Sequence, residues 1–400
     1  MTASVCQHYP RTVLLLAFAS FANDVASEVL LKGSLPIYLV AVLGAPMVVV
    51  GLIDGAAEAL ATLLQIGSGY WADRVRRRKP FVMAGYALSN VTKPLLYFAG
   101  GWAYVLVIRL VDRVGKGLRV PPRDALIADA AAPGERGRAF GLQHAMDPAG
   151  AMTSLVVGAG ILWGMRGATT SIDTEAFRAL VLFAALPGLA TLLLVGLVRE
   201  ERPAPPPTPV AGAPSKAPLG RPFWVFLSLN VLFSLGNSTD SFLIVRAWNL
   251  GVSLPSLFLV LAAFNLVSAL LSVPAGRLSD RFGRRRILAC GWVLYALVYT
   301  GFGWASDPTH ALALLLLYGA YYGLTEGVAK ALVADLIPPE RRASAYGIFA
   351  AAQGLSVLPA GVLAGWLWSA VGPSAPFLLG GILSLAAAIG LLAVQNRPKM

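Results

Sequence analysis

The sequence predicts an all-α membrane protein of about twelve transmembrane helices, arranged as two pseudo-symmetric bundles of six. Three observations carry this prediction. Of 400 residues, 57% are hydrophobic and 13% charged, with a mean hydropathy of +0.69. A soluble domain carries about twice that charged share, so the solvent for most of this surface is lipid. The basic residues gather in alternate short loops. Two short segments also recur half a chain apart.

The first span opens at Arg11. Thr12 to Ala22 has the look of a secretory signal, but the apolar stretch runs on past Asn23, Asp24 and Glu28 to Leu31, which favours a membrane span. Further runs follow at Ala103 to Val111, Ala179 to Val198, Phe223 to Val245 and Phe377 to Val394. Where Gly, Pro or a charge interrupts a run, neighbouring helices or a cavity must satisfy the freed polar groups.

The formal net charge of +12 would suit a nucleic-acid binder if it formed a patch. Instead Arg74, Arg76, Arg77, Arg78 and Lys79 make one basic turn and Arg281, Arg284, Arg285 and Arg286 another, while Ala99 to Trp102 and Ser306 to His310 carry no Lys or Arg. This is the positive-inside pattern, so both termini and the basic turns are expected on the cytoplasmic side of the inner membrane, with no nucleic-acid partner. Two cysteines, Cys6 and Cys290, give no disulfide framework. The one compositional break, 202–222, holds Pro203, Pro205, Pro206, Pro207 and Pro209. It reads as a cytoplasmic linker between an N-terminal bundle, 1–201, and a C-terminal bundle, 223–400.

The repeats give these halves a relationship. Gly69-Tyr-Trp-Ala-Asp73-Arg74 returns 207 residues later as Gly276-Arg-Leu-Ser-Asp280-Arg281. Ala128-Asp129 followed by Arg138-Ala139-Phe140-Gly141 returns 206 residues later as Ala334-Asp335 followed by Ser344-Ala345-Tyr346-Gly347. Two matches at nearly one offset imply parallel six-span repeats, with a solute site expected between them.

On these residues the chain resembles the major facilitator superfamily over its whole length, in particular its bacterial drug and metabolite exporters. The family's loop between the second and third spans reads Gly-x-x-x-Asp-Arg/Lys-x-Gly-Arg-Arg/Lys. Gly276, Asp280, Arg281, Gly283, Arg284 and Arg285 fit it fully, and the first copy departs only at Arg76. The resemblance implies a latch that governs alternating access, formed by Gly69, Asp73, Arg74, Gly276, Asp280, Arg281, Gly283 and Arg284. Arg77, Arg78, Arg285 and Arg286 are read as fixing topology.

Ionisable residues inside the spans are the candidates for function. Asn23, Asp24, Ser27 and Glu28 lie in the first span, and the spacing of four puts both carboxylates on one face, about 6 Å apart. Asp24 is roughly 18 Å along the helix from Thr12, at mid-membrane. An ionised carboxylate there costs at least about 2.5 kcal/mol unless it faces a partner or a cavity. Asp24 is therefore expected to bind a proton or cation. A structural salt bridge is the alternative, and Glu28 has Lys32 within reach.

In the fourth span Arg109, Asp112, Arg113, Lys116, Arg119, Arg123 and Asp124 form a charged stripe that ends in Pro121-Pro122, expected to mark the cytoplasmic end. Arg109-Leu-Val-Asp112-Arg113-Val-Gly115 resembles the family motif Arg-x-x-Gln-Gly-x-Gly, whose Arg is tied to proton coupling. That role carries over to Arg109, whereas Asp112 and Arg113 depart from the motif and equally suit an internal pair. The fifth span offers Gln143, His144, Asp147, Pro148 and Gly150, with Asp147 expected to pair with Arg109 or Arg113. The seventh span carries Asn237 and Asp240, three apart on one expected helix face, and the tenth Tyr318, Tyr321, Tyr322, Glu326 and Lys330. Aromatic rings beside few polar groups suit an organic ligand, with Gln353 of the eleventh span as a further lining residue.

No Gly-x-Ser-x-Gly, His-Glu-x-x-His or P-loop segment is present. The expectation is a monomeric, non-enzymatic secondary transporter without cofactor or metal site. It would take a small solute, exchange protons or another ion, and contact membrane lipid. Proton-coupled export is the leading reading. Movement of an anionic or metal-bound solute is the second, and a non-transporting receptor or scaffold the third.

Overall fold

The structure, a computed structural model, describes residues 9–75, 77–131, 136–167, 170, 172–200, 219–337 and 342–393. Both extreme termini, Arg76 and most of the proline-rich linker lie outside this set. Twelve long helical segments follow one another among the described residues. The first half holds α1 (Arg11–Ala41), α2 (Met47–Val75), α3 (Lys79–Leu95), α4 (Trp102–Ala130), α5 (Arg136–Arg166) and α6 (Thr174–Gly196). The second holds α7 (Arg221–Gly236, resuming as Asp240–Asn249), α8 (Leu254–Phe282), α9 (Arg284–Trp304), α10 (Pro308–Leu336), α11 (Arg342–Ala370) and α12 (Ala375–Ala393).

Nine of these are long and apolar enough to cross a bilayer on composition alone. The other three fall short for reasons that bear on function. α3 has 17 residues, α7 is broken, and α4 carries the charged stripe. Polar groups accumulate in the helices that lipid alone would not hold.

Three departures from ideal helix have local causes. Within α1, Glu28–Ser34 is π-helical. Ser154 of α5 inserts there: its Oγ accepts from the Val29 N–H at 3.0 Å and donates to the Val25 carbonyl at 2.7 Å, replacing one rung of the ladder. In α4 the helix does not stop at Pro121-Pro122 but continues to Ala130, against expectation. Pro121 has no N–H to give the Gly117 carbonyl, and Ser68 Oγ of α2 supplies the missing donor at 2.7 Å. In α7, Asn237 caps one segment and Thr239 starts the next, so Asn237 and Asp240 do not share a continuous helix face as expected.

The described chain divides into two compact units. The first comprises Met1–Ala45, Ala56–Pro209 and Ser253–Ala262, the second Pro46–Gly55, Val210–Val252 and Ala263–Met400. Small residues set the helix spacing within each. A Cβ on Gly115 of α4 would lie 2.5 Å from the Gly85 carbonyl of α3, and one on Gly85 would lie 2.6 Å from Arg119 Cβ. In the second unit a Cβ on Gly291 of α9 would lie 2.3 Å from Thr325 Cγ2 of α10. Gly85 and Arg119 become Gly291 and Thr325 at the offset of 206, so the repeat extends to individual packing contacts.

Candidate functional site

In the first unit α1, α2, α3, α4 and α5 carry clusters of bonded polar residues within their spans. Along α4 the spacings of three and four collect Arg109, Asp112, Arg113 and Lys116. Asp112 is paired with Arg109 at 3.7 Å and with Arg113 at 3.8 Å. Glu58 of α2 receives Lys116 at 3.0 Å and Arg113 at 3.4 Å. Lower on α4, Arg119 donates to Ser89 Oγ of α3 at 2.6 Å and lies 4.6 Å from the centre of the Tyr86 ring. Arg123 pairs with Asp124 at 2.9 Å and donates to Ser20 Oγ of α1 at 3.1 Å.

A second cluster runs through amides. Lys93 of α3, 1% exposed, donates to Asn90 Oδ1 at 3.0 Å and to Asn23 Oδ1 of α1 at 3.3 Å. Asn23 in turn donates through Nδ2 to Asp24 Oδ1 at 3.2 Å. On α5, Gln143 Nε2 donates to Asp147 Oδ1 at 2.8 Å, and a Cβ on Gly150 would lie 3.1 Å from Asp24 Cβ, so α1 and α5 approach closely beside the two acids.

This arrangement sorts the carboxylates. Glu58, Asp112 and Asp124 each have a cation, and Glu28 has Lys32 at 3.1 Å. Asp24 and Asp147 have amide donors and no ion pair among the described residues. The expected pairing of Asp147 with Arg109 or Arg113 is thus corrected, because Gln143, one turn back on the same helix, holds Asp147 instead. His144 is exposed and makes no ion pair with Asp147. Ser27 Oγ is turned to its own helix, donating to the Asn23 carbonyl at 2.6 Å.

The second unit has a different chemistry. Tyr318 of α10 donates to Asp240 Oδ1 at 3.0 Å, and Tyr295 of α9 donates to Asn237 Oδ1 at 3.1 Å. Tyr299 donates to the Ser238 carbonyl at 3.2 Å. Asp54, in the part of α2 that belongs to this unit, accepts from the Thr239 and Ser241 hydroxyls, while Tyr295 and Tyr299 reach the Gly236 and Ser238 carbonyls at the break in α7. Tyr295 and Tyr299 stack at 4.1 Å, Tyr318 and Tyr322 meet edge to face at 5.3 Å, and Phe264 closes on Tyr322 at 5.3 Å. Glu326 and Lys330 pair at 3.3 Å on an exposed part of α10, one turn beyond Tyr322. Gln353 is half-buried on α11.

The two basic turns are built alike. Arg78 bonds Asp129 at the end of α4, and Arg284 bonds Asp335 at the end of α10, so both members of the pair recur at the same offset. Arg78, expected to fix topology only, is therefore part of a specific contact. Arg284 also pairs with Asp280 at 3.4 Å. Gly283 adopts φ 96°, the left-handed turn that explains the second motif glycine. A Cβ on Gly69 would be in ordinary contact with Pro121 at 3.4 Å, whereas one on Gly276 would meet open space. Arg74 and Arg281 are exposed, and the Asp73 side chain lies outside the described set.

Residues 13–257 and 231–400 match the family model of the Major Facilitator Superfamily. The chain belongs to this superfamily. It is similar to an uncharacterized MFS-type transporter of Methanocaldococcus jannaschii, 32% identical over 392 residues, which covers 96% of this chain and 95% of that one. A shorter likeness, 26% over 193 residues, links it to the tetracenomycin C resistance and export protein of Streptomyces glaucescens, covering 47% of this chain and 36% of that one. The fold matches the crystal structure of a POT family transporter in complex with 5-aminolevulinic acid, with TM-score 0.78 and 13% identity over 96% of each chain.

In this superfamily member the repeat keeps positions and changes chemistry. At the offset of 206, Glu58, Ser89, Lys93, Asp112 and Lys116 become Phe264, Tyr295, Tyr299, Tyr318 and Tyr322. The Glu58–Lys116 ion pair is thereby replaced by the Phe264–Tyr322 ring contact. Sequence reading missed Glu58, Lys93, Asn90 and Asp54. The available signal was an ionisable or amide side chain inside an apolar run, the same signal that singled out Asp24.

Proposed function

We propose that the protein is a secondary transporter that exports a small organic solute across the cytoplasmic membrane in exchange for protons, by alternating access of the halves 1–201 and 223–400. One observation supports the proton reading: of the acids in the polar cluster of the first unit, Asp24 and Asp147 are hydrogen-bonded by amides and form no ion pair among the described residues. A proton is the partner that removes most of the cost of such a group at membrane depth. Glu28, Arg109, Asp112 and Arg113 complete the proposed set of coupling residues. Asn237, Asp240 and Tyr322, set among stacked rings, supply apolar area with a few directional polar groups, the composition that suits an organic compound. The partial likeness to an antibiotic export protein supports the direction. Both termini cytoplasmic and a monomeric state complete the reading.

A second reading, an anionic or metal-bound solute, is favoured by Lys93 and Arg119, which bond amides, a hydroxyl and a ring but, among the described residues, no carboxylate. The test is flux in proteoliposomes under an imposed pH gradient, using a compound found by thermal stabilisation of the purified protein. Asp24→Asn is expected to abolish proton-driven flux. Loss in Arg109→Ala with full proton drive in Asp24→Asn would favour the anionic reading, and stabilisation without any flux would indicate a receptor.

A further inference from the structure

The buried ammonium of Lys93 is unusual in what it touches. It is 1% exposed, inside a helix of the first unit, and its hydrogen bonds go to two neutral amide oxygens, Asn90 Oδ1 and Asn23 Oδ1. An ammonium held this way keeps most of its desolvation cost, since amides neutralise no charge. The same Asn23 amide that accepts from Lys93 donates from its other end to Asp24 at 3.2 Å. Asn23 therefore stands between a cation without a carboxylate contact and a carboxylate without a cation contact, and is bonded to both.

We infer that Lys93 is the counter-charge of Asp24, separated from it by Asn23 while Asp24 carries a proton and drawn towards it when the proton leaves. This rests on the proton-exchange reading above. Lys93 is a positioning residue in this account, because it acts through Asp24 and need not touch the solute. Among the described residues, the charged groups that act most strongly on the pair are Glu28 on α1, Asp112, Arg113 and Arg119 on α4, and Asp147 on α5. Asp112 is already bonded to Arg109 and Arg113 and Glu28 to Lys32, and Asp147 stands on Gln143, so Asp24 is the acid bonded to the amide that holds Lys93. Deprotonation would turn Asn23 from a spacer into a bridge between opposite charges. Neutralising the pair in this way offers a route by which loss of one proton tightens α1 against α3.

The experiment is an infrared pH titration of the full chain in lipid vesicles, following the carbonyl stretch of protonated carboxyl groups. In the unaltered protein one component should titrate and vanish in Asp24→Asn. Lys93→Gln, which can still bond the amides, should move the midpoint of that component up by at least about one pH unit, a tenfold change in proton affinity, and Lys93→Arg should restore it. An Asp24 component that titrates with the same midpoint in Lys93→Gln would overturn the role of Lys93 and leave proton exchange standing. Absence of any Asp24-dependent component would overturn both. Should Lys93→Gln fold poorly, the double variant with Asp24→Asn decides: recovery of thermal stability in the double supports the pair, and additive loss contradicts it.

Discussion

At the scale of single residues, what separates a structural charge from a working one is the group that satisfies it. Glu58 pairs with both Lys116 and Arg113, so Glu58→Gln leaves Lys116 facing a neutral amide and Arg113 with Asp112. Its side chain is 34% exposed, which screens part of the loss, and the expected destabilisation is about 1–3 kcal/mol, read as a lowered midpoint of thermal unfolding in detergent. Asp24→Asn and Asp147→Asn replace an acid that has only amide donors by its neutral isostere. Both should therefore unfold within a few degrees of the unaltered protein while losing proton-driven flux. Equal destabilisation in all three variants would remove the distinction. Asp24 was legible in the sequence because it interrupts an apolar run beside Asn23 and Glu28. Lys93 was not, because it closes a span too short to stand out and sits next to Pro94. Its importance lies in the Asn23 contact across to α1, which no local pattern encodes.

At the scale of helices, the irregularities are held by donors from neighbouring helices. Ser68 supplies the hydrogen bond that Pro121 withholds from the Gly117 carbonyl. Ser68→Ala should cost about 1–2 kcal/mol and speed hydrogen exchange in α4 on the C-terminal side of Pro121, with α10, which lacks this proline pair, unaffected. Unchanged exchange in α4 would mean that the carbonyl finds another donor. Proline spacing alone gave a helix end at this place, since the compensating hydroxyl is 49 positions away in the chain. In the loop before α10, the backbone N–H groups of His310 and then Thr309 hold the Asp307 carboxyl below its ordinary range. A lowered acid stabilises the folded form above its ordinary value and loses that effect as pH falls through the lowered one. The first turn of α10 should accordingly show a smaller protection factor against hydrogen exchange, after correction for the intrinsic pH dependence of the rate, in acid than at neutral pH, and Asp307→Ala should show the smaller factor already at neutral pH.

At the scale of the whole molecule, the fold was readable because lipid imposes its demands on composition and the duplication leaves an offset. The twelve helices, the repeated turns and the family all follow from those two signals. The chemistry inside the repeat was less legible: the same offset that aligns Gly85 with Gly291 places Lys93 on Tyr299 and Asp112 on Tyr318, so related positions carry unrelated side chains. One half thus concentrates ionic contacts and the other stacked tyrosines. The paired turns offer a symmetric test. Arg78 with Asp129 and Arg284 with Asp335 occupy equivalent places, so Arg78→Ala and Arg284→Ala should slow transport by similar factors without altering the pH at which it is half-maximal. An effect confined to one of them would show that the duplicated contact has taken separate roles.

The most direct measurement is solute flux into proteoliposomes as a function of an imposed proton gradient, comparing the unaltered protein with Asp24→Asn, Asp147→Asn and the double variant. Gradient-driven accumulation should disappear in the double variant while solute exchange at equal pH persists. Accumulation that survives in the double variant, at the rate of the unaltered protein, would contradict the assignment of proton exchange to these two acids.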